Sequence, residues 1–228
     1  MITKLIVDKN DGLLEVDEGW QHSPLLRIGA TLLSYVFHPV FVPVYVIAFL
    51  LFIQPFLFVG FESKQKALIL AQSFLMFTFF PLVSVGLLKA LKFISSIKLK
   101  DRKDRIIPFI ICNIWYFWIW YVWRNLPQLP SEAVAFAMSV FLASSIGLLL
   151  NIYMKVSMHG IAMGTAVAFL IGLSFQYDLS FGLYLTVAML IGGAVCTSRL
   201  ILNNHLPAEI YWGIATGVLA VLLANIVV

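Results

Sequence analysis

The sequence predicts an all-α fold, a polytopic transmembrane helical bundle of six or seven spans, and three observations carry that prediction. Of the 228 residues, 61% are hydrophobic and only 11% charged, with a mean hydropathy of +0.97, so the chain has too little polar surface to cover a water-soluble domain. Its apolar residues are gathered into long runs close to the ~20 residues that a helix needs to cross the hydrocarbon core. Within those runs the apolar character is continuous, whereas the strands of a membrane barrel alternate between lipid-facing and lumen-facing residues.

Residues 1–23 are polar and acidic, with Asp8, Asp11, Glu15, Asp17 and Glu18, and lack the basic region and cleavage site of a signal peptide. They read as a polar tail, cytosolic or interfacial, and residues 24–228 as a single transmembrane domain. From Pro24 to Gly60 the chain is apolar but interrupted by His38-Pro39, Pro43 and Pro55. Each proline removes a backbone donor, which predicts a short helix followed by a span. After a polar turn at 61–66, Ala67 to Leu91 forms the next span, with Pro81 as its kink.

The loop from Lys92 to Arg105 crowds together Lys98, Lys100, Arg102, Lys103 and Arg105, a cluster suited to anionic headgroups, to a phosphate or to setting topology. Ile106 to Trp123 is a span rich in aromatics (Trp115, Tyr116, Trp118, Trp120, Tyr121), read as interfacial anchors and packing residues. Arg124 and the turn Pro127-Gln-Leu-Pro130 close it. Glu132 opens a span to Asn151, another ends at Phe175, a third runs from Leu179 to Thr197, and the last begins where Pro207 fits the first turn of a helix. Cys112 and Cys196 lie inside apolar runs without disulfide or metal spacing and read as small core residues.

Three polar knots interrupt this pattern: the basic loop, Lys155-Val-Ser157-Met-His159-Gly160, and Ser198-Arg199-Leu-Ile-Leu-Asn-Asn-His205-Leu-Pro-Ala-Glu209. Two spans separate each knot from the next, so all three emerge on one membrane face. Ionisable groups at membrane depth cost roughly +2.5 kcal/mol or more each on insertion scales, which marks these seams as a site. Glu209, in the first turn of the last helix, can reach back to His205, and the free N–H groups there favour an anion. Helix capping alone would also account for that pair. Ser157 is placed to cap the helix that follows it. Gly160-x-x-x-Gly164 and Gly213-x-x-x-Gly217 lie directly after the second and third knots, and small residues at that spacing are expected to bring the two knots together.

Lys98, Arg105 and Arg199 suit a phosphoryl group, whose oxygens carry the charge in a loose transition state. His159 and His205 can divide attack at phosphorus from protonation of the leaving oxygen. A metal site built from His159, His205 and Glu209 would have three borderline ligands and no cysteine, which disfavours it.

Lys98-x6-Arg105, then Ser157-Met-His159, then Ser198-Arg199-x5-His205-x3-Glu209 resemble in order and spacing the three-part signature of the type 2 phosphatidic acid phosphatase (haloperoxidase-like) superfamily, in its membrane lipid phosphatase branch. The resemblance covers roughly Lys98 to the C-terminus, and its third motif is the specific one. It implies a type 2 phosphatidic acid phosphatase-like core in which His205 forms a phosphohistidine, Glu209 orients it and His159 is the general acid. Lys98, Arg105, Ser157 and Arg199 would bind phosphate, with Ser198 a weaker candidate. The family needs no metal or other cofactor, and this sequence has no acidic cluster with hard-cation spacing. Departures from the family pattern are Ile106 for the proline after the first arginine, Val156 and Met158 for the proline and glycine of the second motif, and Glu209 for the aspartate. Met158 matters most, because a side chain now stands where backbone usually approaches phosphate.

The resemblance therefore implies an integral-membrane, metal-independent phosphatase that hydrolyses a lipid phosphate or diphosphate monoester in the cell (inner) membrane. Its partners would be the lipid phosphate and membrane lipids, with no nucleic acid. Two alternatives stay open: a lipid phosphotransferase using the same intermediate, and a non-catalytic lipid-binding or transport protein. Transporter sites sit at the midplane on broken helices, whereas these knots lie at span ends. The surplus of Lys and Arg on the motif-bearing face points it to the cytoplasm, while the resemblance implies that bacterial relatives often face outward. The sequence does not choose between them.

Overall fold

Prolines and polar caps set where the helices start and stop. The computed structural model describes residues 3–7, 13–17, 22–94, 102–177 and 181–228. Two short apolar helices come first, α1 (Pro24–Val36) and α2 (Val42–Ile53). Six longer ones follow: α3 (Ser63–Ala90), α4 (Arg102–Arg124), α5 (Ser131–Tyr153), α6 (Met158–Gln176), α7 (Gly182–Ile201) and α8 (Pro207–Val227). Among the described residues these six are long and apolar enough to cross a membrane, as expected of a multi-pass membrane protein.

The region from 24 to 60, expected to hold a short helix and a span, holds two short helices instead. At about 1.5 Å per residue neither reaches the ~30 Å of a hydrocarbon core. Pro39 separates them, and α2 ends in a widened turn where the Gln54 N–H reaches the Phe49 carbonyl, five residues back, at 2.9 Å. Pro55 has no N–H with which to continue. α3 starts at Ser63, earlier than expected, because Gln65 Oε1 takes the Glu62 backbone N–H at 2.8 Å and closes a cap. It passes Pro81 by a second widened turn, with Phe80 N–H on the Leu75 carbonyl, so the expected kink is a bulge in a continuous helix. Ahead of the bundle, strands β1 (Thr3–Val7) and β2 (Leu13–Asp17) pair antiparallel with Thr3 opposite Asp17, inside what reads in sequence as a tail.

Among the described residues the closest helix packing is between α6 and α8, and glycine makes it possible. A Cβ placed on Gly217 would lie 2.4 Å from Thr165 N and 2.5 Å from the Ile161 carbonyl; one on Gly164 would lie 2.6 Å from the Ile214 carbonyl. Gly213 would meet the Ser157 carbonyl at 2.6 Å and Gly160 the Ile210 carbonyl at 2.9 Å. The two small-residue motifs thus face each other, backbone on backbone. α5 packs against α4 and α8, and α1 lies along α7. Buried hydroxyls within the helices are satisfied by carbonyls of the preceding turn, as with Ser73 on Ile69, Thr165 on Ile161 and Thr216 on Trp212. Outward-facing positions such as Leu183, Leu190, Leu222 and Ile226 remain exposed and apolar, as a lipid-facing surface requires.

Candidate active site

The α6–α8 contact carries the second and third polar knots with it. The Ser157 N–H donates to the Glu209 carbonyl at 3.1 Å, and Lys155 Nζ donates to the Asn204 carbonyl at 2.8 Å. From the start of α4, the buried Arg105 donates Nη1 to the Val156 carbonyl at 3.1 Å. All three seams therefore meet at one end of the bundle. Ser157 is fully buried and caps α6 as expected, its Oγ accepting the Gly160 N–H at 3.3 Å.

His205 stands in the turn between α7 and α8, with a side chain only 4% exposed. Its Nδ1 lies 2.6 Å from Glu209 Oε2, which also accepts the Leu206 N–H at 3.3 Å. A carboxylate can only accept, so Nδ1 carries the proton and Nε2 presents a lone pair. Burial first, then the charges of Lys155, Arg105 and Arg199, push the His205 pKa down to about 3. The ring is therefore neutral at neutral pH, with an unprotonated nitrogen to offer.

Arg199 lies in the last turn of α7 and is half-buried, with Nε enclosed and without a hydrogen-bond partner among the described residues. Its charge acts on both His38 and His205. His159, buried in the first turn of α6, has Nε2 3.1 Å from the Ser34 carbonyl of α1. Ser198, offered as a weaker phosphate ligand, spends its hydroxyl on packing: Oγ donates to the Val195 carbonyl at 2.6 Å and meets Ser34 Oγ at 2.8 Å. Lys98 lies outside the described residues. Met158, in place of the family glycine, is half-buried at the start of α6.

Two residues join the site that the sequence reading did not single out. Lys155 was part of the second knot, and its position two residues before the Ser157 cap was the available signal. His38 gave none beyond a His-Pro break, because what places it is a contact with His159 across more than a hundred residues. Among the described residues, no three His, Cys, Asp or Glu side chains come together as a metal site would need. Comparison with protein-family models, with characterised proteins and with solved structures finds no match to this chain.

The two depressed histidines make stability depend on pH. His38, lowered to about 4 by burial and then by Arg199, and His205, lowered to about 3, both titrate near 6.5 in an unfolded chain. As pH falls the unfolded state takes up these protons first, so stability is fully present above about pH 6.5 and is lost progressively toward pH 4. Thermal melts in detergent are expected to show a Tm that falls across this window, with a shallower fall in His205→Gln. A Tm that is flat from pH 7 to 4.5 would contradict the burial of both rings.

Proposed function

We propose that the protein is a membrane phosphohydrolase that removes a terminal phosphate from a lipid phosphate or diphosphate, with His205 as nucleophile. The observation that carries this reading is a neutral imidazole, held by Glu209 through Nδ1, on which the charges of Lys155, Arg105 and Arg199 all act, the last a guanidinium whose buried Nε has no hydrogen-bond partner among the described residues. A phosphoryl group, negatively charged and with several acceptor oxygens, suits such a set of cationic donors. Arg199, Arg105 and Lys155 would bear on its oxygens, and the N-terminus of α6 adds its dipole. His205 Nε2 would attack phosphorus. His159, the general acid that the resemblance implies, would protonate the leaving oxygen, with the His38 ring edge-on to it at 5.7 Å between centroids. The three-motif resemblance supports the same assignment.

A lipid substrate is favoured over a soluble one by what adjoins the site. Between α1 and α7 runs a groove of roughly 370 Å³, lined mainly by apolar residues that include Leu25, Leu26, Ala30, Leu33 and Ala194, together with Thr197 and Ser198, the residues that precede Arg199 in the chain. A hydrocarbon chain lying there would place its headgroup against the cations.

The test is phosphate release by the purified protein from phosphatidic acid, phosphatidylglycerophosphate, lipid A and isoprenyl diphosphates, with a soluble sugar phosphate for comparison. At least one lipid is expected to be hydrolysed in preference to the soluble ester, and the rate is expected to be unchanged in EDTA. Loss of activity in EDTA with rescue by a divalent ion would move the mechanism to metal-assisted hydrolysis. No release from any lipid would sink the proposal.

A further inference from the structure

His159 lies within electrostatic reach of both Arg199 and His205. To hand a proton to a leaving oxygen its ring must be held in one orientation, as Glu209 holds His205. The partner that the structure gives it comes from the end of α1. A helix leaves the carbonyls of its last turn without an N–H. The His38 N–H, which a continued helix would bring to Ser34, turns to the Tyr35 carbonyl at 3.3 Å, because the residue before Pro39 is pushed out of the helical region. The Ser34 carbonyl takes its hydrogen bond from His159 Nε2 instead, at 3.1 Å, and both residues are buried. The Ser34 side chain is tied down as well. Ser198 Oγ gives its proton to the Val195 carbonyl at 2.6 Å, so in the 2.8 Å contact between the two hydroxyls Ser34 Oγ is the donor. One residue thus joins the end of α1 to α6 through its carbonyl and to α7 through its hydroxyl.

From this geometry we infer that Ser34 is a positioning residue for the general acid, its carbonyl holding the His159 ring and its hydroxyl holding the carbonyl in place. The inference rests on the phosphohydrolase reading, and it brings into the site a helix that precedes the stretch carrying the three motifs. Since a carbonyl can only accept, Nε2 keeps its proton in the neutral ring and in the imidazolium alike, and the proton that moves is the one on Nδ1. The ring therefore keeps one orientation throughout the reaction. A phosphate monoester bound as its monoanion brings the proton that Nδ1 takes up. In the first step the His205 Nε2 lone pair forms the N–P bond, and the P–O bond to the lipid breaks. The electron pair of that bond goes to the oxygen, which takes the Nδ1 proton. In the second step Nδ1 accepts a proton from the water that attacks phosphorus. The N–P pair returns to His205, and the sum is ester plus water to alcohol plus phosphate.

Two measurements on the full chain in detergent test this. Nitrogen-15 NMR of the histidine-labelled wild type, with His159→Gln to assign the signal, is expected to show His159 at alkaline pH as the Nε2–H tautomer. The second is kcat/KM, which extends only to the first phosphoryl transfer. It is compared on dodecyl phosphate, whose leaving alkoxide needs a proton, and on p-nitrophenyl phosphate, whose leaving phenolate does not. Ser34→Ala and Ser198→Ala are each expected to lose about three- to tenfold on the dodecyl ester, the scale of one hydrogen bond, and less than twofold on the nitrophenyl ester. The double variant should be no worse than either single one, since all three lack the same bond. In Ser34→Ala the Ser198 hydroxyl keeps the Val195 carbonyl, so no buried donor is stranded. The inference is overturned by the Nδ1–H tautomer in the NMR spectrum, by equal losses on the two esters, or by a dodecyl rate within twofold of wild type in Ser34→Ala. The phosphohydrolase reading fails by a different mark: His205→Ala turning over both esters at the wild-type rate, whichever tautomer His159 shows.

Discussion

His205→Ala is expected to abolish phosphate release, by a thousandfold or more, in a protein that still purifies as a folded bundle. The magnitude follows from the role, because a missing nucleophile removes the intermediate itself and other groups do not replace it. The survival of the fold follows from the position. His205 sits in a turn, the contact between α6 and α8 rests on the facing glycines, and above about pH 6.5 the ring is neutral in the folded and unfolded chain alike, so its lowered pKa adds no charge term to the loss. Glu209 keeps the Leu206 N–H as a partner. Release of phosphate from a preferred lipid, with the melting temperature of the same preparation, checks both halves. A variant that retains more than a few per cent of activity would show that the nucleophile is another group.

What could be read in the sequence is what depends on neighbours along the chain. The long spans declare themselves by length and continuous apolarity, and the His205–Glu209 pair is a contact four residues apart at a helix start that Pro207 already fixes. Ser157 as a cap has the same local character. The facing glycine motifs are a longer-range expectation that the structure meets, because small residues at four-residue spacing have few uses other than close helix approach. The misses need three dimensions. Nothing local tells that Ser198 turns toward Ser34, or that the Arg105 guanidinium spends a donor on the Val156 carbonyl. The first short helix is as expected, whereas α2 stops short of the expected span because the chain ends it at Gln54-Pro55 in a widened turn. His38 is not legible locally, because its contact is with the His159 ring far along the chain.

Gly217→Val is expected to have the largest effect on stability of any single substitution in the membrane domain. The new side chain would start 2.4 Å from Thr165 N and 2.5 Å from the Ile161 carbonyl, and both are backbone atoms of a packed helix that cannot rotate aside. Overpacking that a side chain can relieve costs about 1–3 kcal/mol, and here the helices themselves must part, so about 3 kcal/mol or more is the expectation. That corresponds to a fall in Tm of about 6–12 °C for a chain of this size, or to loss of a monodisperse species in detergent. Gly86→Ala is the control: a Cβ there meets nothing within 4 Å, and its Tm should not fall. Gly213→Ala separates packing from chemistry, because its methyl presses on the Ser157 carbonyl at 2.6 Å, one peptide from the N–H that binds Glu209. Where that variant remains folded, its activity should drop out of proportion to its Tm, since a shift of α6 relative to α8 moves the Ser157 cap and His159 away from His205. Equal stability of Gly217→Val and Gly86→Ala would mean that α6 and α8 do not meet in this way, and the three knots would then have no common pocket.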